Sequence, residues 1–220
     1  MDAWIDLFRT AWPVLLQGTL YTLLFAVISM VLGLALGFLV ALVRVARVPA
    51  LAQLAAFYVS AMRGTPLLVQ IFVIYYGLPG IGIEFDPVTA GVLALTLNVG
   101  AYLSESMRGG IAGVDRGQWD AGLSLGLGWW QTMRFVVAPQ ALRLAVPSLS
   151  NSLISLIKDT SLVSVITVTE LMLATKEVIA QTFQPLPLYL AAAAIYWVLS
   201  ASFEQVQRRV EARLNLSYRR

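Results

Sequence analysis

The sequence predicts an all-α, polytopic membrane protein. Three observations predict it. Hydrophobic residues make up 59% of the chain and charged residues 12%, whereas soluble domains carry about 25% charged residues. Five apolar segments reach or approach the roughly 20 residues needed to cross a bilayer. The arginines collect at alternate ends of those segments, as cytoplasmic loops require. No Gly/Ser-rich linker, low-complexity stretch or convincing internal repeat divides the 220 residues, so one domain over residues 1–220 is expected.

The first segment, residues 14–43, holds no charge. It is too long for the apolar region of a signal peptide, and its flank carries Asp2 and Asp6 with only Arg9. A retained helix is expected there. Gly33 and Gly37 have the small-xxx-small spacing that lets a second helix approach closely. The second segment, residues 51–77, is broken only by Arg63, within Arg63–Gly64–Thr65–Pro66. Pro66 has no N–H to give the Met62 carbonyl, which predicts a kink and a free acceptor. An arginine at that kink suits either a binding point or a structural pivot.

The third segment, residues 87–107, carries Asn98, Tyr102 and Glu105. Spacings of four and three put them on one helical face. A polar stripe on an apolar helix turns toward a bundle interior. Either the stripe lines a solute path, or Glu105 pairs with Arg108 one turn on. The fourth, residues 136–157, contains Arg143 and a second stripe: Ser148, Asn151 or Ser152, Ser155 and Asp159. Lys158 and Asp159 point about 100° apart on a helix. They serve a helix end or contact the charged groups of an amino acid. The fifth, residues 186–203, has no charge. Trp4, Trp12, Trp129, Trp130 and Trp197 lie mainly near segment ends and read as an interfacial belt.

Arg44 and Arg47 follow the first segment; Arg108, Arg116 and Arg134 lie between the third and fourth; Arg208, Arg209, Arg213, Arg219 and Arg220 follow the fifth. Glu84 and Asp86 occupy one opposite loop; Glu170, Lys176 and Glu177 occupy the other. Five spans with the N-terminus outside and the C-terminus inside put every arginine-rich end on the cytoplasmic side. An even span count splits them.

Several chemistries are excluded. With no cysteine and no histidine, the ordinary nucleophilic triads cannot be built. The only lysines, Lys158 and Lys176, follow Ile157 and Thr175, so there is no Gly–Lys–Ser/Thr of a P-loop. No catalytic residue, metal site or bound cofactor is expected. The net charge of +3 reflects cytoplasmic loops rather than nucleic-acid binding.

One stretch between the third and fourth segments is unusually patterned: Gly117–Gln118–Trp119–Asp120–Ala121–Gly122–Leu123–Ser124–Leu125–Gly126, then Val136–Val137–Ala138–Pro139–Gln140. It resembles the "EAA" loop of ABC importer permeases, with Gly122 in place of the second alanine, Asp120 of the glutamate and Ala138 of the leucine. Further stretches carry the resemblance along nearly the whole chain. They are Gly18–Thr19, residues 63–70 from Arg63 to Gln70, residues 98–105 from Asn98 to Glu105, Arg108–Gly109–Gly110–Ile111, Pro139–Gln140–Ala141 and Lys158–Asp159–Thr160–Ser161–Leu162. Together they are similar to polar amino-acid ABC importer permeases. Tyr75–Tyr76–Gly77–Leu78–Pro79 and residues 82–87 look most like the L-cystine branch.

The resemblance implies a type I ABC importer permease fold in the bacterial inner membrane, working by alternating access. It implies a coupling helix over residues 117–128 or so, with Gln118, Asp120, Ala121 and Gly126 meeting an ATPase subunit. Asp120 is expected near the start of that helix and Gly126 at its end, and Pro139 is expected to open the next span. The implied partners are a second permease copy, two ABC ATPase subunits that hold ATP and Mg, an extracytoplasmic solute-binding protein and a polar amino acid. The expected solute site is Arg63, Thr65, Asn98, Tyr102, Glu105, Ser155 and Asp159, with Glu105 taking the ammonium and Arg63 the carboxylate. The rival reading is an ion- or proton-coupled secondary amino-acid transporter using Glu105 and Arg63. Such a protein has no need of the patterned loop, and a membrane scaffold has no need of two polar stripes.

Overall fold

A computed structural model of the chain describes residues 2–46 and 49–216. Arg47, Arg219 and Arg220, used in the charge argument, lie outside the described residues, as do the side chains of Asp2, Trp4 and Asp6. The described residues contain no strand.

Helix α1 (Asp2–Val45) is 44 residues long and starts well before residue 14. It packs most extensively on α4 (Pro87–Ala112). The expected small-residue contact makes this approach. A Cβ on Gly33 would stand 2.5 Å from Val99 Cγ1, and one on Gly37 would stand 2.9 Å from the Gly100 carbonyl oxygen. The two backbones are therefore nearly in contact, the geometry small residues permit between membrane helices.

The second predicted span is not one kinked helix. It is a pair, α2 (Pro49–Gly64) and α3 (Leu67–Phe72), bent by 110° at the break. Beyond α3 the chain continues through a π turn, Val73–Gly77, and a 3₁₀ turn, Leu78–Ile81. Gly82 ends it with φ 84°, a left-handed conformation that costs glycine little. Asp86 then caps α4, accepting from the Val88 and Thr89 N–H groups at 3.0 and 3.1 Å. Hydrogen bonding from Thr89 above all holds its carboxyl below the usual carboxylate range.

A short helix, α5 (Arg116–Ser124), precedes α6 (Trp129–Thr132), a π turn at Met133–Val137 and α7 (Ala138–Asp159). The helical run at the fourth predicted segment thus begins at Trp129, and Pro139 lies inside it rather than opening it. Both π turns end two residues before a proline, Pro79 or Pro139. A proline cannot donate to the carbonyl four residues back. In each case the residue before it donates one residue further back, Leu78 to Val73 and Ala138 to Met133, and the helix carries on.

After a 3₁₀ segment, Thr160–Ile166, comes α8 (Leu171–Thr182), then α9 (Pro185–Leu216). Helix α8, in the stretch that the charges Glu170, Lys176 and Glu177 mark as a loop, lies between α1 and α9. Glu170 is 0% exposed. It caps α8 through the Met172 and Leu173 N–H groups, both at 2.9 Å, and accepts from Tyr196 Oη at 2.6 Å and Thr22 Oγ1 at 3.4 Å. Four donors from three elements offset the desolvation of this carboxylate.

The main core lies around α4, with Phe25, Ile71, Leu95, Leu103 and Ile166. A second cluster joins α1, α8 and α9 through Leu15, Leu171 and Leu188. Among the described residues, three helical stretches are long and apolar enough to cross a membrane: Leu7–Val45, Pro87–Ala112 and Pro185–Arg213. The bent α2–α3 pair qualifies jointly. Helix α7 spans 22 residues, but its serine stripe, Arg143, Lys158 and Asp159 make it less apolar.

Gly37→Val is expected to destabilise the protein by about 1–3 kcal/mol, the range for overpacking a tight contact. Thermal unfolding of the purified, lipid-reconstituted protein measures this, and an unchanged midpoint would show that α1 and α4 can separate without cost.

Candidate functional site

The site is built on the break between α2 and α3. As expected, the Met62 carbonyl loses its helical donor at Pro66. It is not left free. Gln70 Nε2 donates to it at 2.8 Å and Asn98 Nδ2 at 3.3 Å. Gln70 Nε2 also lies 3.2 Å from the Thr65 carbonyl oxygen and 2.9 Å from Thr65 Oγ1. Asn98 Nδ2 donates to Gln70 Oε1 at 3.0 Å. Gln70 and Asn98 are 7% and 9% exposed. Two buried amides therefore replace the missing main-chain hydrogen bond and fix the bend to α4. Gln70 stood in a quoted motif, but its role is visible only once α3 folds back.

Around this knot lie two adjoining cavities. One, of about 500 Å³, is lined by Thr65, Asn98, Tyr102, Ser155 and Asp159, with Ser148, Asn151 and Ser152. The other, of about 440 Å³, is lined by Arg63, Tyr102 and Glu105, with Ser106, Ser148 and Ser152. Tyr102, Ser148 and Ser152 belong to both. The stripes of α4 and α7 thus face each other, and Ser106 Oγ meets Ser148 Oγ at 2.6 Å. All the expected solute-site residues line one cavity or the other.

The two cavities differ in charge. Glu105 is ringed by guanidinium groups: Arg44, in direct contact; Arg108, at 2.8 Å; and Arg63, at 3.7 Å. The simple Glu105–Arg108 pair is present but is only part of the cluster. Arg44, by sequence a loop charge after the first segment, joins this cluster. It reaches Glu105 because α1 stays helical through Val45 alongside α4. Arg63 is the loosest member, and its guanidinium also sits 5.4 Å from the centre of the Tyr102 ring, a cation–π contact. Asp159, in the other cavity, forms no ion pair among the described residues.

Helix α5 lies at the end of the molecule where α4 ends. Asp115, not Asp120, caps it, accepting from the Gly117 N–H at 2.7 Å. Asp120 is in mid-helix, because the helix starts at Arg116. Its C-terminal end follows the sequence reading, although the helix stops at Ser124 rather than near 128. Gly126 has φ 82°, and bonds from Gly126 N to Leu123 O and from Leu127 N to Gly122 O, at 3.0 and 3.2 Å, complete a Schellman cap. Any other L-residue at Gly126 costs roughly 1–2 kcal/mol. Gln118 Oε1 accepts from Gln140 Nε2 at 3.0 Å, tying α5 to α7. A Cβ on Gly122 would stand 2.6 Å from Thr132 Cγ2, so the small residue lets α5 lie flat on α6. Asp120, Ala121 and Gly126 point outward with Leu123 and Leu125, the last 82% exposed.

Residues 33–216 match the family described as binding-protein-dependent transport system inner membrane component. The chain is 43% identical over 208 residues to the L-cystine transport system permease protein TcyB of Bacillus subtilis (strain 168), covering 94% of this chain and 89% of that protein. It is 37% identical over 206 residues to the glutamine transport system permease protein GlnP of Escherichia coli (strain K12), covering 93% and 94%. The crystal structure of an amino acid ABC transporter with histidines superposes with a TM-score of 0.90 at 34% identity, over 94% of this chain and 96% of that one. A chain of the inward-facing MetNI methionine ABC transporter gives a TM-score of 0.76 at 16% identity, over 91% and 96%, a likeness of fold.

Gln70→Leu is expected to destabilise the protein by about 1–3 kcal/mol, because it strands the Met62 carbonyl in a buried place. Asn98→Leu should act on the same knot, so the double variant should lose less than the sum. Strict additivity in denaturation measurements would show the two amides acting independently.

Proposed function

This chain belongs to the family of binding-protein-dependent transport system inner membrane components, and on that footing we propose that it forms the solute path for a polar amino acid, L-cystine being the leading candidate. Members of this family are non-catalytic, multi-pass permease subunits of the bacterial plasma membrane, and ATP is hydrolysed in a separate subunit. The chain is the permease component of an amino-acid ABC importer. Its proposed partners are a second permease copy, two ABC ATPase subunits holding ATP and Mg, and an extracytoplasmic solute-binding protein.

The observation that carries the proposal is the facing of two polar stripes, on α4 and α7, across two joined cavities in an otherwise apolar bundle. Polar and charged groups at membrane depth mark substrate paths. The proposed site is Arg63, Thr65, Asn98, Tyr102, Glu105, Ser155 and Asp159. An amino acid brings a carboxylate and an ammonium, and both need partners when dehydrated. Three guanidinium groups surround Glu105, so an approaching ammonium is repelled there. The ammonium role moves to Asp159, an unpaired carboxylate beside Ser155 and Asn98. Arg63, the most weakly held of the three arginines, keeps the carboxylate role. Likeness to the L-cystine permease, with the resemblance of residues 75–79 and 82–87 of this chain to that branch, supports cystine, which carries two such pairs of groups.

The proposed topology has five spans: α1, the α2–α3 pair, α4, the run from Trp129 to Asp159, and α9. The N-terminus is outside and the C-terminus inside. Helix α5 is the proposed coupling helix. Gln118 anchors it to α7, while Asp120, Ala121, Gly126 and the exposed Leu123 and Leu125 offer a face to the ATPase. The secondary-transporter reading has no observation in its favour.

ATP-driven uptake by proteoliposomes holding the permease with its ATPase and binding protein tests the reading. Asp159→Asn is expected to lower uptake roughly tenfold to hundredfold, the cost of losing a charged contact in a dry site, with assembly intact. Unchanged kinetics in Asp159→Asn, or uptake that needs an ion gradient instead of ATP, would overturn it.

A further inference from the structure

A third cavity lies apart from the solute path. It has a volume of about 410 Å³ and opens between the ends of α1 and α4 and the start of the α6–α7 run. Its walls are apolar, including Phe38, Leu42, Met107, Ile111, Ala138 and Leu142. The volume is in the range of ligand pockets, about 300–1,000 Å³. Among the described residues, only one charged residue lines it, Arg134. Arg134 is exposed and, among the described residues, forms no ion pair. Its guanidinium rests 5.5 Å from the centre of the Phe135 ring. Trp129 and Trp130, packed edge to face at 4.7 Å, complete the rim. They continue into a neighbouring hollow with Val45, Ala46 and Trp119.

We propose that this cavity binds an anionic phospholipid, with an acyl chain in the apolar groove and the phosphate on Arg134. Three features point to that occupant. Apolar walls at the end of membrane-spanning helices match hydrocarbon. Tryptophans prefer the headgroup level. The exposed guanidinium of Arg134 beside them matches a phosphate, for which it offers paired donors. A second copy of this chain is a poor occupant, since it would bring a second Arg134, which among the described residues forms no ion pair, against the first. The site also touches the proposed coupling helix, because Trp119 of α5 packs on Trp129 at 5.7 Å. The inference rests on the chain crossing the membrane, not on the solute-path residues, so either can fail without the other.

The test uses the full chain in lipid discs of equal parts phosphatidylglycerol and phosphatidylcholine, with bromine on one lipid or on the other. A variant keeping Trp129 and Trp130 as its only tryptophans reports quenching. Wild-type Arg134 is expected to give about a fivefold preference for phosphatidylglycerol, the factor one basic residue contributes near an anionic surface. Arg134→Gln should abolish the preference and Arg134→Lys should largely keep it. Native mass spectrometry of the chain with all its tryptophans gives a second reading, as retained phosphatidylglycerol that falls in Arg134→Gln. Equal quenching by both lipids, a preference that survives Arg134→Gln, or no quenching because a second copy covers the groove would each overturn the proposal.

Discussion

In hydrocarbon there is no water to satisfy a broken helix, so each free main-chain group must find a partner inside the protein. That constraint governs the break at Pro66. The chain stops one helix at Gly64 and turns through 110°. It survives the turn because Gln70 and Asn98 supply the donors that Pro66 withholds. The same knot ties α2, α3 and α4 together and sets Thr65 and Asn98 on the wall of a cavity. The other interruptions follow the same rule. Glu170 takes the first N–H groups of α8 and gathers hydroxyls from α1 and α9. The π turns ahead of Pro79 and Pro139 keep the helix bonded without those prolines' missing donors.

Charge is then sorted between two connected spaces. Glu105 on the wall of one space belongs to a net positive cluster with Arg63, Arg44 and Arg108, while Asp159 makes the other space acidic. Tyr102 stands between them with Arg63 against its ring. For the proposed amino-acid solute, this separates a place for the carboxylate from a place for the ammonium. A cluster held this way also links α1, α2 and α4.

Much of this was legible in the sequence. The stripes on α4 and α7 follow from helical spacing alone, and the structure turns both onto the same cavities. The close α1–α4 approach was readable from Gly33 and Gly37, and the end of α5 from Gly126. The free acceptor at Met62 followed from Pro66, but its partners did not. A glutamine eight residues away reaches it only because of the fold-back, and spacing along a straight helix does not reveal that. Helix α8 and buried Glu170 were missed for a related reason. A short amphipathic helix with acidic and basic residues reads as a loop until Thr22 and Tyr196, distant in sequence, are seen to converge on it. The start of α5 lies within a residue of its expected place, Arg116 against about 117, but its cap is Asp115 rather than Asp120, and its helical turns stop at Ser124 rather than near 128.

The absence of cysteine permits a direct measurement. Single cysteines at Ser148, Ser152 or Ser155 can be labelled with a membrane-impermeant thiol reagent in proteoliposomes containing the assembled transporter. If the joined cavities are one solute path, all three positions react. Their rates change between nucleotide-free and ATP-bound states, and the transported amino acid protects them. A control cysteine at the exposed Leu190 of α9 stays unlabelled in lipid. Failure of all three serine positions to react from either side in any nucleotide state would contradict the solute path.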